Sequence, residues 1–345
     1  MAKRIVFCAD GTWQSALNNT NVYRMYKALD ISSDQITFYD DGVGADATGL
    51  DRLLDGAFGQ GLLDKIQDGY TKIAHVYEPG DQVFLFGFSR GAYTARSLAG
   101  MIAACGLPTG SFTDNCVEQV FNAYRNPTER AVILAGLGAC NLQQVTIQMI
   151  GVWDTVGSLG IPAIFGGVDD KKFRFLDTSL HPCVKNAYHC MALDEKRMQF
   201  PATLWAGTPA PGQTVEQIWF SGCHGDVGGG TPLGGTVDSG TRLCDITLGW
   251  MVGKAQKCGL TFVDAAKTLT TTLPADTALD AIRETWSAVD GPPHLRPVDA
   301  KAEVANSVAV RLKYALTYVP GSLTVSDGAL ADGYSIVDIV GEDAF

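Results

Sequence analysis

The chain has 345 residues, 46% of them apolar and 18% charged, with a formal net charge of −11. That length suits a single α/β domain spanning residues 1–345 with insertions. The negative balance excludes a nucleic-acid backbone as partner, which requires clustered Lys and Arg, and it gives no attraction to an anionic lipid surface. No apolar stretch reaches about 18 residues, so no integral membrane segment is expected. The apolar run after "MAKR" is too short for a signal peptide, so a cytoplasmic origin is expected, with export open only to a route that needs no signal peptide. The nine cysteines are scattered through apolar segments without a CxxC spacing, and read as reduced core residues rather than a zinc site.

In chain order, "RIVFCAD" is the first apolar run, followed by a helix around "TNVYRMYKALD" with Thr20 or Asn21 as its cap. "QITFYDDG" is the second run, and a long helical stretch follows around "LLDKIQDGYTKIAHVY". "QVFLFGFS" is the third, leading at once into the small-residue helix "AYTARSLAGMIAACG". "QVTIQMIGVWD", "NAYHCMALD" and "EQIWFSGCHGD" complete the set. These runs are continuously apolar rather than alternating, as expected of parallel strands covered by helices on both faces. Strand–helix alternation predicts an α/β architecture. Residues 106–143 and 156–182 interrupt it and are expected as cap or lid insertions near the carboxyl ends of the strands. The glycine-rich "GGGTPLGG" precedes a helix at "LCDITLGWMVGKAQKCG", and the last hundred residues carry weaker signals.

Gly87-Phe88-Ser89-Arg90-Gly91 matches G-x-S-x-G between an apolar strand and a small-residue helix. That context predicts a strained turn that lifts the Ser89 hydroxyl clear of the sheet as a nucleophile. The Arg90 amide, at the helix N-terminus, would face a developing oxyanion. A serine needs a base, and the chain has five histidines. His75 lies mid-helix, His181 and His294 sit beside prolines, and His189 is inside the fifth strand. His224 opens "HGDVGGG" after the sixth strand, where a glycine-flexible loop would let it swing over the serine. The third member should be a carboxylate at a strand end. Asp154 in "GVWDTVGS" is the first choice and Asp194 in "MALDEKR" the alternative, while Asp226 is expected to brace the glycine loop. The turn "ADGT" after the first strand offers the amide of Gly11 or Thr12 as a second oxyanion donor.

The set "FCADGTW", "YDDGVG", "GFSRGAYTARSLAG", "GVWDTVGSLG", "NAYHCMALDEKRMQFPATLW" and "WFSGCHGDVGGG" resembles the Tle-type α/β hydrolases over roughly residues 4–255. That family includes phospholipase effectors of the bacterial type VI secretion system. The resemblance implies an α/β-hydrolase fold and a Ser-Asp-His triad falling on Ser89, Asp154 and His224. It also implies a lipid substrate and, for an effector, an immunity or secretion partner.

The leading expectation is therefore a serine esterase or lipase working through an acyl-enzyme, with a phospholipase as the alternative and a catalytically silent module of the same fold as a further one. A dinucleotide loop at Gly42, Gly44 and Ala47 is disfavoured by the aspartates before it. The mechanism calls for no metal and no cofactor.

Overall fold

The computed structural model describes residues 2–12, 14–44, 56–156, 179–230, 243–264, 266, 269 and 273–341. Eight strands form one sheet: β1 (Arg4–Ala9), β2 (Gln35–Asp40), β3 (Gln82–Phe88), β4 (Ile147–Trp153), β5 (Asn186–Ala192), β6 (Thr214–Phe220), β7 (Glu303–Ala305) and β8 (Ser335–Val337). Every pairing is parallel, in the order β8-β7-β6-β5-β4-β3-β1-β2. The sequence predicts the first six. The last two are three-residue edge strands, too short to carry a periodic signal.

The helices are α1 (Asn21–Ala28), α2 (Gly56–Val76), α3 (Arg90–Cys105), α4 (Asp114–Arg125), α5 (Arg130–Ala135), α6 (His224–Gly228), α7 (Leu243–Lys257) and α8 (Asn306–Tyr314). Successive strand residues feed opposite faces. Ile5, Phe7, Val83, Leu85, Ile150 and Val152 join the core under α2, α3 and α4. Val6, Cys8, Phe84, Phe86, Met149 and Trp153 join the core under α1 and α7. Both faces are covered, so each large apolar side chain contributes about 1.5–3 kcal/mol by leaving water. Among the described residues, no helix is long and apolar enough to cross a membrane.

Because β2 lies on one side of β1 and β3 on the other, the connections leaving β1 and β3 diverge. The crevice between their carboxyl ends is the switch point at which open α/β sheets bind ligands. Thr20 caps α1: its Oγ1 accepts the Tyr23 amide at 3.1 Å and donates to Asp10 Oδ2 at 2.7 Å, tying the helix to the end of β1.

Residues 106–143, expected as a cap, take a different place. They join the end of α3 to the start of β4, both at the amino-terminal edge of the sheet, away from the edge bearing Ser89. α4 packs along α3, where Tyr124 donates to the Ser97 carbonyl at 3.0 Å, and buries Val117, Val120 and Phe121 in the same core. Cys116 and Cys140 are joined as a disulfide inside this segment, a departure from the all-reduced reading; the other seven cysteines are free. Of the expected lid at 156–182, residues 157–178 lie outside the described residues, as do residues 231–235 of "GGGTPLGG".

The glycines of G-x-S-x-G are set by contact. A Cβ on Gly87 would lie 2.4 Å from the Gly91 carbonyl oxygen, and a Cβ on Gly91 would lie 2.2 Å from that of Ala9. Both obstacles are backbone and cannot turn aside. Gly91→Ala is expected to lower stability by about 1–3 kcal/mol through overpacking, seen as a fall in melting temperature. Gly253→Ala, in α7 with nothing within 4 Å of its Cβ, is expected to leave it unchanged or raise it.

Candidate active site

Ser89 ends β3 and precedes α3 with φ 57° and ψ −122°, a left-handed conformation that is costly for any residue with a side chain. Its amide donates to the Trp153 carbonyl at 3.0 Å, and its hydroxyl does not cap the helix. Arg90 is the first residue of α3, with its amide at the positively polarised end of the helix dipole.

Asp154 follows β4, also at positive φ (40°), and is fully buried. Its carboxylate accepts four hydrogen bonds. His224 Nδ1 lies 2.6 Å from Oδ2, Arg296 Nη2 donates to Oδ2 at 2.9 Å, and Arg296 Nη1 and the Ala192 amide donate to Oδ1 at 2.6 and 2.9 Å. Burial alone would raise this carboxyl, but the Arg296 guanidinium and then His224 hold it well below the usual carboxylate range.

His224 is not on a swinging loop. It opens α6, its ring stacked on Phe88 (centroids 4.5 Å) and edge-on to Phe200 (5.0 Å). A Cβ on Gly228 would fall 2.0 Å from Phe88 Cε2, so α6 is pressed onto the residue before Ser89. Asp226 accepts the Cys223 amide at 3.0 Å and closes a capping box, which fixes the helix start. Burial lowers the His224 imidazole, partly offset by Asp154. With Nδ1 engaged, Nε2 is the nitrogen left for proton transfer. Among the described residues Ser89 and His224 share this edge through the Phe88 contact, without a direct hydrogen bond.

Asp194, the alternative acid, does not meet His224. It accepts the Gly222 amide at 2.7 Å and the Tyr318 hydroxyl at 3.0 Å. Its partners are neutral, and burial pushes it up to about 6. Of the two oxyanion candidates after β1, the Gly11 amide donates to Asp10 Oδ1 at 2.7 Å and is already used. Thr12 is 5% exposed, and among the described residues neither its amide nor its Oγ1 has a hydrogen-bond partner. Thr12 is thus the donor of the pair that the turn leaves available. Gly42 is packed against the same turn, where a Cβ would meet the Gly11 carbonyl at 1.6 Å, so that glycine serves close packing and not a phosphate cradle. His189 accepts the Thr155 amide on Nε2 at 3.1 Å, and burial lowers its imidazole to about 3, which makes it a neutral structural residue.

Three contributors escape sequence reasoning. Glu195, 2% exposed, accepts the His224 backbone amide at 3.2 Å and is gripped by Arg197, whose guanidinium also covers Phe200. The charged cluster "DEKR" after a strand was their only signal. Arg296 sits in "PPHLRPV", a stretch without periodicity, and had none.

An eight-stranded parallel sheet carrying G-x-S-x-G in a left-handed turn at its switch point is an α/β-hydrolase-type fold. Residues 3–254 match the type VI secretion family described as Tle1-like phospholipase effector, catalytic domain, and the chain belongs to that family. It is similar to the uncharacterized protein YEL023C of Saccharomyces cerevisiae, 31% identical over 243 residues, which is 61% of this chain and 33% of that protein. Two solved structures are similar to parts of the chain. One is an uncharacterized protein from Pseudomonas aeruginosa, with TM-score 0.45 and 17% identity over 78% of this chain and 48% of that one. The other is a Tle1 effector bound to the VgrG spike of the type 6 secretion system, with TM-score 0.38 and 18% identity over 69% and 52%. The chain thus spans about a third of the yeast relative and about half of each solved structure.

Asp154→Asn should leave the fold in place but cut turnover by about four orders of magnitude, because the Arg296 and Ala192 donors draw the carboxamide oxygen and leave its NH2 facing Nδ1, which favours the unproductive tautomer. Steady-state rates on a soluble ester check this. Asp194→Asn should retain most of the turnover. Its carboxyl is raised in the folded state, so it binds a proton there that the unfolded chain has lost between about pH 4 and 6, and stability falls as pH rises through that window. The melting temperature of the parent chain, less that of Asp194→Asn, should therefore fall between pH 4.5 and 7.5.

Proposed function

We propose that the chain is a serine hydrolase that cleaves carboxylic esters through an acyl-enzyme, and that its substrates are glycerophospholipids. The observation that carries the reading is the buried Asp154–His224 contact of 2.6 Å beside a serine held in a left-handed turn. Membership in a phospholipase effector family supports the lipid substrate, and delivery by the type VI machinery belongs to the same reading.

In this mechanism Ser89 Oγ attacks the ester carbonyl as His224 Nε2 takes its proton. Asp154 holds the Nδ1–H and stabilises the imidazolium. The tetrahedral oxyanion sits against the Arg90 and Thr12 amides. His224 then returns the proton to the leaving alkoxide, and the fatty acyl group stays on Ser89. Water, deprotonated by the same imidazole, attacks the acyl-enzyme and releases the fatty acid. Each role is one the local geometry supports: a hydroxyl not spent on capping, an imidazole with one nitrogen engaged, and a carboxylate locked at a strand end.

A fluorophosphonate probe should form one adduct, on Ser89, absent in Ser89→Ala and slowed by orders of magnitude in His224→Ala. Fatty acid should be released from phosphatidylethanolamine–phosphatidylglycerol vesicles. Turnover of p-nitrophenyl butyrate without release from vesicles would restrict the activity to soluble esters. A folded chain that neither labels nor turns over would be a binding module of this fold, and the hydrolase reading would be lost.

A further inference from the structure

We infer that Arg296 is a positioning residue for the catalytic base, locking the Asp154 carboxylate in the orientation that holds His224 Nδ1 and pairing its buried charge. This rests on the reading of Ser89, Asp154 and His224 as a triad. Arg296 lies beyond the 3–254 segment that defines the family match, in a stretch that adds to the catalytic edge from the C-terminal side.

The geometry is that of a built clamp. Arg296 is 2% exposed. Nη1 and Nη2 reach both oxygens of Asp154 in a bidentate pair at 2.6 and 2.9 Å. The same two nitrogens donate to the Ala192 carbonyl at 2.7 Å and the Phe200 carbonyl at 2.6 Å. The guanidinium is therefore fixed to the end of β5 and to the segment bearing Phe200, and through them it fixes the carboxylate. Asp154 needs that hold, since its own backbone sits at positive φ. Two neighbouring carboxylates are held from the same C-terminal stretch: Arg283 pairs with Asp226 at 3.3 Å, and Tyr318 donates to Asp194. Of these three side chains, Arg296 is the one that holds the carboxylate paired with the His224 ring.

The electrostatic consequence follows from counting charges around the imidazole. Among the described residues, His224 faces Asp154 from β4, Glu195 with Arg197 from the segment after β5, and Arg296 from the C-terminal stretch; Cys223 and Asp226, the latter paired with Arg283, lie on its own element. An isolated buried aspartate would strongly favour an imidazolium. Burial is the largest influence lowering this imidazole, and the Arg296 charge acts in the same direction, while the carboxylate keeps its hydrogen bond to Nδ1. A base that resists protonation in the resting enzyme stays competent at lower pH.

The test is the pH profile of kcat and KM for a soluble ester in the parent chain, Arg296→Gln and Arg296→Lys, with melting curves for each. In Arg296→Gln the acid limb of kcat/KM should move up by about half a pH unit or more. Its kcat should fall about tenfold to a hundredfold, with KM nearly unchanged. Arg296→Lys keeps a charge but not the fork, so it should hold the limb near its original place while kcat still falls. If Arg296→Gln does not fold, Arg296→Lys carries the test, and a parent-like kcat in it would overturn the positioning role. A folded Arg296→Gln with the parent's limb and kcat would overturn the whole inference. Failure of the triad reading shows separately, as a parent chain that does not label on Ser89.

Discussion

A fully buried carboxylate is the constraint on which this site depends. Taking Asp154 out of water costs several kcal/mol unless the charge is paired and its lone pairs are filled. The fold meets that demand by bringing four donors from three separate parts of the chain: His224 from the start of α6, Ala192 from the end of β5, and Arg296 from the C-terminal stretch. Satisfying one charge therefore fixes the relative positions of β4, β5, α6 and the segment around residue 296. The imidazole is oriented as a by-product of that satisfaction. Removing any donor disturbs both the stability of the edge and the geometry of the base, so mutational effects at these positions are expected to couple rather than add.

The second constraint is steric and lies between β3 and α3. At Gly87 the strand lies against the backbone of α3, and at Gly91 the helix lies against the end of β1, so the intervening chain turns within one residue, with Ser89 in the left-handed conformation. The Gly42–Gly11 contact brings the loop after β2 onto the loop after β1 by the same means. Three strand ends converge on the switch point because their loops carry glycine where backbone meets backbone. Nothing in this geometry requires a flexible lid to form the turn itself.

How much of this was legible in the sequence varies residue by residue, for physical reasons. β1 to β6 were legible because burial on both faces leaves long apolar runs, whereas β7 and β8 are three-residue edge strands. The turn at Ser89 was legible because its sterics demand glycine at two fixed offsets. Residue type narrowed the α1 cap to Thr20 or Asn21, and the structure uses Thr20. The 106–143 segment could not be placed, since an amphipathic helix that packs on α3 and one that covers a site look alike until the connection is traced. The Cys116–Cys140 pair has a separation of 24 residues and no local mark. Arg296 lies 142 residues from the carboxylate it holds, and no spacing rule connects them.

The choice between Asp154 and Asp194 shows why such a site resists assignment from composition. Both are aspartates that follow a buried parallel strand; Asp154 is fully buried and Asp194 half-buried. What separates them is the charge of their partners. Asp194 is held by an amide and a phenol, and Asp10 by an amide, a threonine hydroxyl and a tyrosine hydroxyl; with neutral donors only, burial dominates and each carboxyl rises to about 6. Asp154 has a guanidinium and an imidazole, and stays ionised despite complete burial. Among the described residues Asp154, and not Asp194, meets the His224 ring, so it is the carboxylate placed to stabilise an imidazolium as it forms. In the proposed mechanism the difference between the two residues thus lies in which one meets His224 and in the cation, supplied from a distant part of the chain, that keeps it ionised. A base that accepts a proton from Ser89 and then gives it up, as proposed, calls for an oriented ring and an ionised partner, and the buried Arg296–Asp154–His224 arrangement is suited to supply both.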